Sequence, residues 1–205
     1  MTLPEENAVL EGLLVDLVPF GDAFIERELE WHNGPMREWW GLDGVMSRSR
    51  WEYRREQYQS EPGFRDRFIR FGIRTKDGRP IGVFSLVGID GVNRFAEVGA
   101  GIGDPDYWGG GFGSDAMLLV TSYAFDWLDL RRLWLRTRDD NIRAQRQVEK
   151  CGFTLEGAWR DAEYYGGQRH TMLVYGLLRQ EWPGRAALVE RLGLAEKARA
   201  HGYSA

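Results

Sequence analysis

Between residues 67 and 127 the hydrophobic period of the chain changes, and the change falls across a run of glycines. "RFIRFGIRT" sets Phe68, Arg70 and Gly72 against apolar Ile69, Phe71 and Ile73, and "IGVFSLVGID" and "RFAEVGAGIGD" follow it after "KDGRP" and "GVN". An Asp-Gly turn between two alternating runs predicts a hairpin, so the three segments predict an antiparallel meander. From Phe112 onward the period becomes helical. Phe112, Ala116, Leu119, Val120, Tyr123 and Trp127 recur at spacings of three or four, which predicts the buried face of one long amphipathic helix. The junction reads "YWGGGFGSDA" (107–116). Such a loop has almost no side chains and delivers the chain to a helix N-terminus. That end carries four unpaired N–H groups and the positive pole of the helix dipole, so it attracts an anion.

The flanking segments predict a mixed α/β domain. "GLLVDLVPF" (12–20) predicts a first strand, and Asp22 starts a helix through "AFIERELEWHN". A second helix is expected from about Ser49 to Gln59, after the loop "NGPMREWWGL". Beyond the glycine loop, "RRLWLRTR" predicts a strand and "NIRAQRQVEKCG" a helix ended by Gly152. A last hairpin turns at Gly166-Gly167, and Trp182-Pro183 closes it. The expected organisation is one domain over 10–181 and a helical extension over 182–205, interrupted at Gly193.

Charge and cysteine content narrow the function classes. The net charge is −4 with both signs spread along the chain, which argues against a nucleic-acid binder. The lone cysteine, Cys151, has no partner for an internal disulfide, and the expected setting is a reducing, cytoplasmic one. "MTLPEENAVLEG" lacks the basic-then-apolar pattern of a signal peptide, and no apolar run approaches the ~20 residues that span a bilayer, so no membrane association is expected. His32 and His170 are not spaced as a metal pair, and no metal is expected. Cys151, next to the Gly152 cap, is expected in the core. No G-x-S-x-G elbow is present.

Three phosphate sites suit a glycine loop. A P-loop needs a lysine after the last glycine, and here Ser114-Asp115 follows Gly113. A dinucleotide fingerprint, G-x-G-x-x-A, is formally matched by Gly111 to Ala116, but "DPDYW" separates strand from glycines. The third is a pyrophosphate held at the mouth between a strand and a helix. Here "EVGAGIGDPDYWGGGFGSDAM", "NIRAQRQVEKCGF" and "LEGAWRDAEYY" occur in order. Together they make residues 10–181 resemble the GNAT superfamily of acetyl-CoA-dependent N-acetyltransferases, most of all the ribosomal-protein N-terminal (alanine/serine) branch.

The resemblance implies a GNAT-like fold, with a mostly antiparallel sheet splayed between two strands, and acetyl-CoA as co-substrate. Gly109, Gly110, Gly111, Phe112, Gly113 and Ser114 would line the pyrophosphate, with Trp108 standing where relatives have Gln or Arg. Ile102 and Gly103 would end the splayed strand that meets the pantetheine, and Asn141 would touch the same arm or simply cap its helix. A Gly111→Glu substitution is expected to abolish coenzyme binding and leave the fold intact. Transfer would go directly from thioester to amine, which requires a base to take the amine's proton. Glu97 and Glu163 are the candidates, with Asp161 a weaker neighbour. The tyrosine and serine that relatives use on the leaving group are replaced by Val148 and Ala144; Tyr164, Tyr165 or water would have to substitute.

For the acceptor side the resemblance implies a slot shaped by Trp31, Trp39, Trp40 and Tyr164, with Glu38 and Asp43 nearby, unless these rings serve packing. The acceptor is a small-molecule amine or a protein N-terminus. A degenerate acetyl-CoA sensor and an NAD(P)-dependent oxidoreductase remain as alternatives. The terminal helix, through Ala186, Leu188, Val189 and Leu192, would cover the sheet or pair two subunits as a homodimer.

Overall fold

The alternating segments form strands and the 3.6-period segments form helices, as their patterns require. A computed structural model describes residues 8–34, 36–39, 45–60 and 67–204. In chain order the elements are β1 (Leu10–Glu11), β2 (Val15–Pro19), α1 (Asp22–Asn33), α2 (Arg48–Ser60), β3 (Phe68–Thr75), β4 (Pro80–Asp90) and β5 (Phe95–Ile102). They continue with α3 (Phe112–Ser122), β6 (Arg132–Arg138), α4 (Ile142–Lys150), β7 (Thr154–Tyr165), β8 (Gln168–Leu178), α5 (Arg185–Arg191) and α6 (Leu194–Ala200).

Among the described residues the strands form one eight-stranded sheet in the order β1-β2-β3-β4-β5-β6-β8-β7. Every pair is antiparallel except β5–β6. A parallel pair needs a crossover, and α3 supplies it. The β5–β6 pairing covers only Phe95↔Arg132, Ala96↔Leu133 and Glu97↔Trp134. Beyond Glu97 the strands part: β5 stays with β4 as far as Ile102, while β6 stays with β8 as far as Arg138. The sheet therefore opens at the C-terminal end of β5, beside the glycine loop. Leu14, Phe84, Leu86, Leu118, Phe125, Leu133 and Leu177 are among the fully buried side chains that hold α3 to this sheet.

The strand expected over 12–20 forms as β2, and a bond from Gly12 N–H to the Val15 carbonyl folds the short β1 that precedes it back on β2. One expectation is corrected. Trp127 does not continue the buried face of α3. A π-helical turn at Tyr123–Trp127 shifts the register, and Trp127 is 80% exposed. The C-terminal helix is interrupted at Gly193, the expected position, whose φ of 60° suits glycine, and so forms α5 and α6.

One buried charge ties these parts together. Asp115, in the first turn of α3, is fully buried. Its Oδ2 accepts from the N–H groups of Leu14 (2.7 Å) and Val15 (3.2 Å), and Oδ1 lies 3.4 Å from the Arg185 guanidinium at the start of α5. No helix among the described residues is long and apolar enough to cross a membrane.

Candidate active site

The opening in the sheet continues into a cleft of ≈ 2310 Å³ that runs from the glycine loop, past the splayed strands, to the α1–α2 side. Its floor at one end is the loop that enters α3. Gly109 and Gly111 adopt φ of 84° and 99°, a region that side chains disfavour. A Cβ on Gly113 would lie 2.8 Å from the Gln147 side chain of α4. So two glycines make the turn and a third lets α3 and α4 approach. The expectation that Gly111→Glu spares the fold is corrected here. A Cβ at Gly111 would meet Leu14 and Lys197 at 3.1 Å and Leu194 at 3.2 Å, so any side chain there strains the structure as well.

Cations surround that end. Arg143, Arg146 and Lys150 from α4 and Arg191 and Lys197 from the C-terminal segment all line it. In a chain of net charge −4 this is a local positive field facing a helix N-terminus, a setting suited to several phosphates. A pyrophosphate with an extended arm fits this donor set: backbone amides, cations, and an open strand edge leading away from them.

Trp108 does something the sequence did not suggest. Its indole N–H donates to the Ile102 carbonyl at 2.7 Å, and the Arg143 guanidinium lies 3.5 Å from its ring centroid. It braces the loop against the end of β5. Asn141 caps α4, its Oδ1 accepting from Ala144 N–H at 3.2 Å, and it also lines the cleft. Val148 and Ala144 line it too, so no hydroxyl stands at either position. Burial pushes the Cys151 thiol up to about 11, which keeps it protonated near neutral pH and matches its core position.

At the other end of the cleft one face of β6 dominates. Glu97 stands at the last paired position of β5, its carboxylate 2.9 Å from Arg136 Nε. Arg136 in turn lies over the Trp134 and Trp159 rings. Two residues on, Arg138 is only 4% exposed, so its charge requires partners. It forms a two-pronged pair with Asp140 at 3.0 and 3.1 Å, donates to the Glu38 carbonyl at 2.9 Å, and packs between Trp39 and Tyr165. The Glu163 carboxylate lies 4.0 Å away. A bulge between Trp159 and Glu163, with Asp161 at φ 53°, turns Ala162 and Glu163 toward the cleft. Arg138 thus joins Glu38 and Trp39, which follow α1, to Tyr165 and Glu163 of the last hairpin.

A further carboxylate, Glu28 on α1, lines the cleft at 4% exposure. It accepts from Trp51 Nε1 at 2.9 Å and from Arg70, with His32 at 3.7 Å. Burial pushes its carboxyl up, but His32, Arg70 and Trp51 together outweigh burial and hold it below the usual carboxylate range.

Of the candidate residues, Glu97, Glu163, Ile102, Trp108, Gly109, Gly111, Gly113, Ser114, Asn141 and Trp39 meet in this one cleft. Gly110 and Phe112 are not among the lining residues; the Phe112 ring is buried and packs edge-on against Tyr107. Trp31 is 2% exposed, and a Cβ at Gly103 would fall 2.0 Å from its ring, so the two form a packing contact and no slot. Tyr164 points out beside Arg169 and does not line the cleft. Trp40 and Asp43 lie outside the described residues. Asp139, Asp140 and His170 bring ligand-type atoms within 4.8 Å, but both Asp140 oxygens are taken by Arg138. The dinucleotide reading fares poorly: a 3₁₀ turn at Pro105–Tyr107 separates β5 from the glycines. Glu28, Arg136, Arg138 and Lys197 were missed. Arginines two apart in "RLWLRTR" were the available signal for a polar strand face.

The family model for an acetyltransferase (GNAT) domain matches residues 23–154. The Putative ribosomal N-acetyltransferase YdaF of Bacillus subtilis is 36% identical over 108 residues, 53% of this chain and 58% of that protein. The Escherichia coli spermidine N(1)-acetyltransferase is 35% identical over 92 residues, 45% of this chain and 49% of that protein. The chain therefore aligns with about half the length of these relatives. Among solved structures, Mycobacterium smegmatis RimJ in complex with CoA-disulfide superposes with a TM-score of 0.74 at 20% identity, over 87% of this chain and 89% of that one. Vibrio cholerae spermidine N-acetyltransferase in complex with CoA and spermine gives 0.73 at 20% identity, over 82% and 97%.

Proposed function

Because this chain belongs to the GNAT acetyltransferase domain family, we propose that it transfers acetyl from acetyl-CoA to a primary amine, most suitably a protein N-terminus. The single observation that carries this reading is the opening of β5 from β6 directly beside a cation-ringed glycine loop. Acetyl-CoA supplies a thioester, whose acyl carbon an amine can attack without a covalent enzyme step. The α3 N-terminus and its cations hold the phosphates. The free edge of β5 from Val98 to Ile102 offers backbone groups along the arm and at the carbonyl oxygen.

Glu97 sits at the point where the strands part, which makes it the group best placed to take the amine's proton, directly or through one water. Arg136 beside it fixes the carboxylate's direction. Glu163, held by the Arg138 hub, faces the incoming acceptor and orients it. With Val148 and Ala144 in the cleft wall, the proton shed by nitrogen is the one available to the departing thiolate, carried by water.

Relatives act on ribosomal proteins or on spermidine by their names. The charge pattern favours the first class. Three of the five carboxylates lining the cleft, Glu28, Glu97 and Glu163, each face an arginine, Arg70, Arg136 and Arg138 respectively, whereas a polyamine needs carboxylates left free for its several charges. Phe20, Met36, Trp39, Met46 and Trp51 supply apolar walls suited to a peptide's first side chain.

Thiol release from acetyl-CoA, followed with a panel of peptides and with spermidine, tests this reading. Peptides with small N-terminal residues are expected to accelerate release at least tenfold over spermidine. The reverse order would overturn the acceptor assignment. Tight acetyl-CoA binding with no acceleration by any amine would leave a coenzyme sensor in place of an enzyme.

A further inference from the structure

The family match ends at residue 154, and the two C-terminal helices lie well beyond it. They are nevertheless built into the core. Leu188, Leu194 and Ala198 are fully buried in the main cluster, and Arg185 pairs with Asp115, next to the loop residue Ser114. From this base α6 forms the back wall of the glycine loop. Leu194 Cδ2 and Lys197 Cδ lie 3.2 and 3.1 Å from where a Cβ on Gly111 would sit, and the His201 ring meets Phe112 edge-on with centroids 4.9 Å apart.

Lys197 is half-buried and lines the cleft. It has no carboxylate partner among the described residues, whereas its neighbour Glu196 pairs with Arg199. Its stem packs on Gly111, the residue that precedes α3, so a partly desolvated ammonium shares this cleft with the α3 N-terminus and with Arg143 and Arg146 of α4. That arrangement is favourable only with an anion between them. Arg191 extends the same wall, its guanidinium anchored by the Lys150 carbonyl at 2.8 Å.

We infer that Lys197 binds a phosphate of the coenzyme, so that the C-terminal segment is a working part of the coenzyme site. The inference rests on the coenzyme reading above. Two phosphates share this chemistry, the pyrophosphate over the loop and the 3′-phosphate, and the ligands of the test separate them.

Calorimetric titration of the full chain with coenzyme A and with 3′-dephospho-coenzyme A, in wild type, Lys197→Met and Lys197→Arg, tests it. Methionine keeps the stem that packs on Gly111 but removes the charge. Lys197→Met is expected to bind coenzyme A about tenfold more weakly, and Lys197→Arg within about threefold of wild type. A loss seen with both ligands assigns the pyrophosphate; a loss confined to coenzyme A assigns the 3′-phosphate. Equal affinity of wild type and Lys197→Met for both ligands, with matching unfolding midpoints, would overturn the inference. Failure of the wild type itself to bind coenzyme A would instead remove the coenzyme reading on which it rests.

Discussion

Replacing Asp115 with alanine is expected to destabilise the protein by about 3–5 kcal/mol, the range for removing one partner of a buried charged network. Its carboxylate is fully buried and satisfies the N–H groups of Leu14 and Val15 as well as Arg185. Without it, two backbone donors and a guanidinium lose their acceptor in places water reaches poorly. The loss spreads because these contacts join the β1–β2 turn, α3 and α5. For a domain of this size the midpoint of thermal unfolding should fall by roughly 10 °C. Asparagine will recover only part, since its amide has one acceptor oxygen for donors that now use two. Urea unfolding curves of the three proteins measure this. A cost below about 1 kcal/mol for alanine would mean that the turn and α5 are held by packing alone.

The second large effect concerns chemistry. Glu97→Gln is expected to lower kcat roughly 10²- to 10³-fold with little change in the KM for acetyl-CoA, the usual scale for losing a general base. Glutamine keeps the size and a hydrogen bond to Arg136 but accepts no proton. The rate should then rise with pH as free amine accumulates, where wild type reaches its plateau earlier. Glu163→Gln should act more on the acceptor's KM, because its carboxylate lies beside Arg138 in the part of the cleft proposed for the acceptor. A Glu97→Gln enzyme within threefold of wild type would transfer the proton-accepting role to Glu163 or to water.

Much of this was legible in the sequence where the determinants are local. The strand-type runs from 67 to 104, the Asp-Gly turn and the glycine run specify a meander that enters a helix through a loop nearly free of side chains. The splay of β5 from β6 is different. It arises because β6 has two partners and leaves one for the other, and a pairing choice between distant strands writes no local pattern. Trp31 shows the same limit. An aromatic before a loop reads equally as slot or filler, and only the contact with Gly103 decides it. Trp127 was misplaced because a single π turn shifts a helical register without changing the apolar spacing. The Arg138 hub and Lys197 depend on partners 100 residues away or on a segment beyond the recognisable domain.

The most direct measurement is a calorimetric titration of the protein with acetyl-CoA, with NAD and NADP as controls. The glycine loop at an opened sheet predicts one acetyl-CoA per chain at micromolar affinity and no heat from either nicotinamide. Binding of NAD in its place, or of none of the three, would contradict the account.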